Sequence, residues 1–190
     1  MAAQAVAVGV AAAMLGDLVI AKWLDVDGYG RLVVTAPRHL RLEGSPEFFG
    51  NAVGAVRGDL PAPVRDWLRF FSLTLPGEVA AHLAKYQVVQ AVTERRLFGL
   101  RAATVYRPAD ISVAFSQLLH VSNLFDRPRP LDEREILLAG LVHACGLGPI
   151  AWGRIPEQLA AWVRSLPRGL RELIRQTEAL VADRVATGQI

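Results

Sequence analysis

The sequence predicts a mainly α-helical domain that carries short β-hairpins. Apolar residues recur at helical spacing over most of the 190 residues. Helix-start chemistry separates these stretches, with Asp or Ser ahead of an acidic or proline-led first turn. Two short stretches, 30–35 and 97–106, instead place strand-type residues beside glycine. The length fits one domain, 1–190, with a real core, and no linker, repeat or low-complexity tract divides it.

The elements follow in order. Residues 3–23 form a near-continuous apolar run, read as a buried first helix. Asp17 and Lys22 fall inside it, Ala supplies much of its apolar character, and no basic region precedes it, so neither a membrane span nor a secretory signal is expected. Two Asp and two Gly in 25–30 are turn chemistry. A strand over 32–35 follows, with a partner near 40–42. Ser45 is the expected N-cap of the next helix, with Pro46 at its first position and Glu47 in its first turn. Residues 58–63 break that helix. The next runs over 64–73 with Trp67, Leu68 and Phe71 on one face, Pro76-Gly77 ends it, and a longer helix covers 78–95.

The segment 97–106 reads as a hairpin closed before Pro108, since proline holds its predecessor extended. Asp110 caps a helix over 111–124, and 126–130 is a loop. Asp132 caps an apolar helix, 133–145, that Gly146 stops. The region from about 156 to 187 is amphipathic helix, broken near 167–169.

Composition narrows the function classes. Apolar residues make up 52% and the mean hydropathy is +0.28, a greasy balance that suits a densely packed helical domain or a membrane-proximal one. A net charge of +3 demands neither nucleic acid nor membrane. A single cysteine, Cys145, excludes an internal disulfide and a zinc cluster and fits a reducing cytoplasm. His39, His82, His120 and His143 lack ligand spacing, so no metal site is expected. His143 and Cys145 are two apart and fall on different helix faces, so they do not form a catalytic pair. Gly28-Tyr-Gly30 lacks a third glycine and is a turn. Asp132, Glu133 and Glu135 are explained by capping. The four tryptophans suit core or interface. Arg127-Pro-Arg129 and the arginines at 164, 168, 171 and 175 read as solvated faces among Glu157, Glu172 and Glu178. No catalytic residue, metal or cofactor is expected.

Four stretches, in order, carry a family resemblance. They are Met14-Leu-Gly-Asp-Leu-Val-Ile with the strand after it; the helix from Phe48 with Leu60-Pro-Ala-Pro-Val-Arg-Asp-Trp67; Val92-Thr-Glu-Arg-Arg-Leu97 leading to Tyr106-Arg107-Pro108; and Asp132-Glu-Arg-Glu-Ile-Leu-Leu-Ala-Gly-Leu-Val-His-Ala-Cys-Gly-Leu147. Over about residues 8–150 the chain resembles the Golgi phosphoprotein 3 family, and the helices from about 156 match less well. The order and spacing of packing patterns carry the match, since none of the four is a catalytic signature.

The resemblance implies a helical fold with short hairpins and a non-enzymatic adaptor that binds phosphatidylinositol 4-phosphate on a membrane. The Ala-, Arg-, Val- and Leu-rich composition points to the bacterial branch. In lipid-binding members a Trp precedes the first long helix, an Arg sits at its start, and two basic residues lie one turn apart ahead of the hairpin. Here the Trp position and the membrane-inserting loop would lie ahead of Met1, the Arg position falls at about Ala11, and the basic pair becomes His82 and Lys85. A shortened member is therefore expected. Its weak anionic-lipid site would comprise His82 and Lys85 with Arg95 and Arg96 as helpers further along the same helix. It should be sensitive to salt and favoured in mildly acid solution, as His82 gains a proton.

Two alternatives stand beside it. Apolar surface near Val6 and Val10, or at Leu97, Phe98 and Tyr106 of the hairpin, would drive homo-oligomerisation or scaffold assembly. A winged-helix outline, with 78–95 as reading helix exposing Lys85, Gln87, Gln90, Thr93, Arg95 and Arg96, would bind DNA, although its N-terminal half is poor in Arg and Lys. The protein is expected to be cytoplasmic or membrane-peripheral.

Overall fold

The computed structural model describes residues 2–36, 45–96, 101–126, 130–153 and 157–186. Among the described residues eight α-helices and two antiparallel hairpins run in the order α1 (Ala2–Ile20), β1 (Leu24–Val26), β2 (Leu32–Val34), α2 (Glu47–Gly58), α3 (Val64–Lys85), β3 (Val89–Arg96), β4 (Arg101–Pro108), α4 (Ile111–Ser122), a 3-10 turn (Asn123–Asp126), α5 (Glu133–Ala144), α6 (Gly148–Trp152), α7 (Leu159–Ser165) and α8 (Arg168–Ala186). The fold is mainly α, as the periodicity predicts.

α1 is the central column. Alanine gives it high intrinsic helicity, and its neighbours α3, α5 and α8 cover Val8, Ala11, Leu15 and Leu18 to near-zero exposure. Close approach depends on missing side chains. A Cβ at Gly16 would lie 2.3 Å from Leu137 Cδ2, and one at Gly140 would lie 2.6 Å from Ile174 Cδ1. By length and composition the stretch Ala3–Ile20 could cross a membrane, and half of it is buried inside this bundle.

The β1–β2 hairpin pairs Leu24 with Val34 and Val26 with Leu32. Its turn is built by Asp27, whose carboxylate accepts from the Tyr29 and Arg31 amides at 2.8 and 3.0 Å and from Arg31 Nε at 2.8 Å. The Arg31 amide leads the hydrogen bonds that hold this carboxyl below the usual range. The Leu32 amide donates to Ala62 and the Val64 amide to Gly30, which fixes the start of α3 to the hairpin. β2 thus pairs with the preceding segment, and the partner expected near 40–42 lies outside the described residues. Ser45 is not the cap of α2: Pro46 occupies that position without a side-chain bond. At α5, by contrast, Asp132 and Glu135 form the full capping box.

The largest departure from expectation lies between 64 and 96. α3 is one continuous helix of 22 residues with Pro76 inside it, and it ends at Lys85. The segment read as helix through 95 turns into a strand. β3 pairs along its whole length with β4, from Val89↔Pro108 to Arg96↔Arg101. The hairpin is therefore longer than expected and displaced toward the N-terminus, and Leu97 and Phe98 lie outside the described residues. A Pro costs one helix hydrogen bond, which a long packed helix absorbs, whereas Val88, Val89, Val92 and Thr93 favour a pleated strand.

Candidate functional site

The corner where α3 meets the β3–β4 hairpin holds the basic pair. His82 and Lys85 occupy the last turn of α3, where positive charge complements the helix dipole. Part of their charge is thereby offset by the terminal carbonyls, which tempers any attraction for an anion. His82 is partly buried against two rings. Phe48 meets it edge-on at 5.7 Å and Tyr86 tilts across it at 4.9 Å. Phe48 in turn stacks on Phe49 at 5.0 Å. Lys85 is exposed and makes no ion pair among the described residues.

The chain leaves α3 through a Schellman motif. The Val88 amide donates to Leu83 and the Gln87 amide to Ala84, both at 3.0 Å, with Gln87 left-handed at φ 57°. This turn starts the hairpin at the helix end. The Ala109 amide then donates to Val88, so β4 delivers the chain back to the same corner. Asp110 accepts from the amide and hydroxyl of Ser112, hydrogen bonds that hold its carboxyl below the usual range, and α4 begins there.

α4 buries no residue. Ile111 is 83% exposed and Phe115 59%, and Val113, Leu118 and Leu119 are exposed too. The root of the hairpin adds Tyr86, Val88 and Tyr106. The corner is thus an apolar and aromatic surface with a basic pair beside it.

The other expected residues fall differently. Arg95 and Arg96 lie on β3 toward its far end, six or seven residues beyond Val89, roughly 20 Å along the strand. They do not extend the helical face of His82 and Lys85. Ala11, where the resemblance would place an arginine, is fully buried in the core. The reading helix of the DNA hypothesis does not exist past Lys85, since Gln90 and Thr93 are strand residues. Val6 is 40% exposed, as expected, and lines a mainly apolar groove of about 200 Å³ with Val10 and Leu138. Among the described residues no cluster could hold a metal ion. Burial pushes the Cys145 thiol up to about 11, with a small opposing hydrogen bond from Gly9, and its Sγ donates to the Ala5 carbonyl at 3.3 Å. Sequence reasoning missed Tyr86, Phe48 and the exposure of α4. An adjacent Lys-Tyr pair was the one local signal.

The described residues form a helical bundle with the β3–β4 hairpin at one corner. The family model for Golgi phosphoprotein 3 (GPP34) matches residues 1–186, and the chain belongs to that family. No curated protein matches it. Family membership suggests a non-enzymatic lipid-binding or adaptor role in general.

Proposed function

We propose that the protein is a peripheral, non-enzymatic adaptor of the cytoplasmic side that docks on anionic membranes through the corner formed by the end of α3, the root of the β3–β4 hairpin and α4. One observation supports this most: a twelve-residue apolar helix with no buried residue starts just after Ala109, whose amide bonds back to Val88 past the end of α3. Water is a poor environment for Ile111 and Phe115, and the interface of a bilayer is a good one. Tyr86 and Tyr106 suit the headgroup level, where an amphipathic ring places its hydroxyl in water. Lys85, with His82, supplies attraction for an anionic headgroup, phosphatidylinositol 4-phosphate among them. Attraction from one lysine is small, so affinity rests on the apolar helix and should be modest.

Sedimentation with phosphatidylcholine vesicles, with and without phosphatidylinositol 4-phosphate or phosphatidylserine, at two salt concentrations tests the reading. Binding should require anionic lipid, weaken with salt and fall in Phe115→Ser. Absence of binding to every vesicle would overturn it.

The second reading is assembly with further copies. Among the described residues β3 and β4 pair only with each other, and Gln90, Ala91, Thr104 and Tyr106 are exposed. A strand edge of that kind accepts another strand. Light scattering that gives a concentration-dependent oligomer, lost with a proline at Ala91, favours this reading.

A further inference from the structure

Gly9 lies against Cys145 and Gly16 against Leu137, so α1 and α5 run antiparallel in close contact. Along their seam the described residues leave a groove open. One part, of about 200 Å³, is walled by Val6, Val10 and Ala13 of α1 and by Leu138, Leu141 and Val142 of α5. A second part, of about 320 Å³, shares Ala13, Leu138 and Leu141 with the first and continues to Asp17. The walls repeat at i, i+4, i+7 on α1 and at i, i+3, i+4 on α5, the pattern by which two packed helices receive a third. Val6 is 40% and Leu138 37% exposed.

α4 is a helix that lacks a partner of this kind. It carries no Asp, Glu, Lys or Arg, and Ile111, Phe115 and Leu118 form an exposed stripe at i, i+4, i+7. Its 12 residues span roughly 18 Å, against roughly 17 Å from Val6 to Asp17 along α1. The absence of charge suits it to an apolar groove, where a buried ion would go unpaired.

The groove of its own molecule is closed to that stripe. His120 of α4 borders the second part of the groove. Ile111, Phe115 and Leu118 lie about 140–180° round the helix from His120. α4 therefore turns its apolar stripe away from the groove beside it. A roll of half a turn is opposed at its C-terminal end, where Ser122 Oγ donates to the Ala151 carbonyl at 2.7 Å and Trp152 Nε1 to the Val121 carbonyl at 2.9 Å. The same groove in another copy carries no such restriction.

We propose that two copies of the chain pair reciprocally, each laying the stripe of its α4 in the α1–α5 groove of the other. Groove and α4 adjoin on one side of the molecule, so both contacts form about one two-fold axis and the pair closes. Size favours the reciprocal arrangement. Half the surface of a helix of this length, with the matching groove, is roughly 600 Å², whereas two such contacts reach roughly 1,200 Å², the lower edge of the stable range. A micromolar Kd is expected from so modest an interface. The contact is distinct from pairing through the strand edges of the hairpin. It also occupies the helix assigned above to the membrane, so pair and bilayer compete for α4. The competition rests on the membrane reading, and the pairing does not.

Sedimentation equilibrium of the full chain without lipid reads the pairing, and the native chain should fit a monomer–dimer equilibrium. Leu138→Glu and Phe115→Ser should each weaken the dimer by about tenfold or more, the scale of one large apolar side chain. Ala91→Pro should leave it in place. In a Cys145→Ala background, a Phe115→Cys chain mixed with a Leu138→Cys chain should oxidise to the mixed disulfide dimer in preference to either like pair. On anionic vesicles Leu138→Glu should bind at least as well as the native chain. A native chain that stays monomeric well above micromolar concentration would overturn the proposal. So would a dimer that Leu138→Glu leaves intact, a dimer lost with Ala91→Pro, or like disulfide pairs in preference to mixed ones. Loss of vesicle binding in Leu138→Glu would show that the groove itself meets the bilayer, and would overturn it too. The pairing is read without lipid and the membrane reading from vesicles, so either can fail alone.

Discussion

Gln87 and Gly146 hold the same place at the ends of two different helices. Each is the left-handed residue of a Schellman motif, at φ 57° and 72°, and each donates its amide three residues back, to Ala84 and His143. Lys22 repeats the arrangement after α1 at φ 62°. Of these three helices, only α5 uses the residue that the conformation suits. Replacing Gln87 or Lys22 with Gly should therefore stabilise the protein by about 0.5–1 kcal/mol, while Gly146→Ala should cost about 1 kcal/mol. Urea unfolding of the three variants checks the contrast.

Gly9 is placed under a buried sulfur. A Cβ there would stand 2.6 Å from Cys145 Sγ. Gly9→Ala should destabilise by about 1–3 kcal/mol through overpacking, although alanine is the better helix former. Removing the sulfur with Cys145→Ala should relieve much of that loss, so the double variant should be less destabilised than the sum of the two. Additive single effects in a double-mutant cycle would contradict the contact.

The same thiol predicts a loss of stability in alkali. Its folded value is raised to about 11 from an ordinary 9.0, mainly by burial. A raised acid stays neutral in the fold after it has ionised in the unfolded chain. Its contribution is therefore full below pH 9 and is lost as pH rises through 11, by up to roughly 2–3 kcal/mol. Cys145→Ala should flatten this part of the stability curve relative to the native chain, as followed by denaturant midpoints.

At the membrane corner stability and binding should separate. Phe115→Ser and Ile111→Ser remove no packed side chain, so unfolding free energy should move by less than about 0.5 kcal/mol. Vesicle association should drop by about tenfold or more, the scale of leaving one large apolar side chain in water. Lys85→Ala should weaken association by about fivefold at low salt and by less at high salt.

How much of this could be read in the chain depends on where the deciding forces act. The capping box of α5 was legible because Asp132 and Glu135 act across one turn. His82 and Lys85 were legible as one face from their spacing alone. The end of α3 was not, because Ala80, Ala81 and Ala84 continue a helical pattern into Val88 and Val89, and only pairing with β4 decides the strand. Pro76 misled in the other direction, since local preference ends a helix where tertiary packing keeps it. The exposure of α4 was hidden for a different reason: periodicity reports which residues are apolar, not whether a neighbour arrives to cover them. Phe48 beside His82 needed the crossing of two helices.

Pro76 also has a mechanical consequence. It lacks the amide that would close on the Ser72 carbonyl, so α3 is held by one bond fewer at that level. Below it Trp67, Leu68, Phe71 and Leu75 anchor the helix in the core, and beyond it the helix carries the hairpin root. The proline is therefore the point along α3 where a bend costs the fewest helical hydrogen bonds, while Val79 just beyond it still packs on the core.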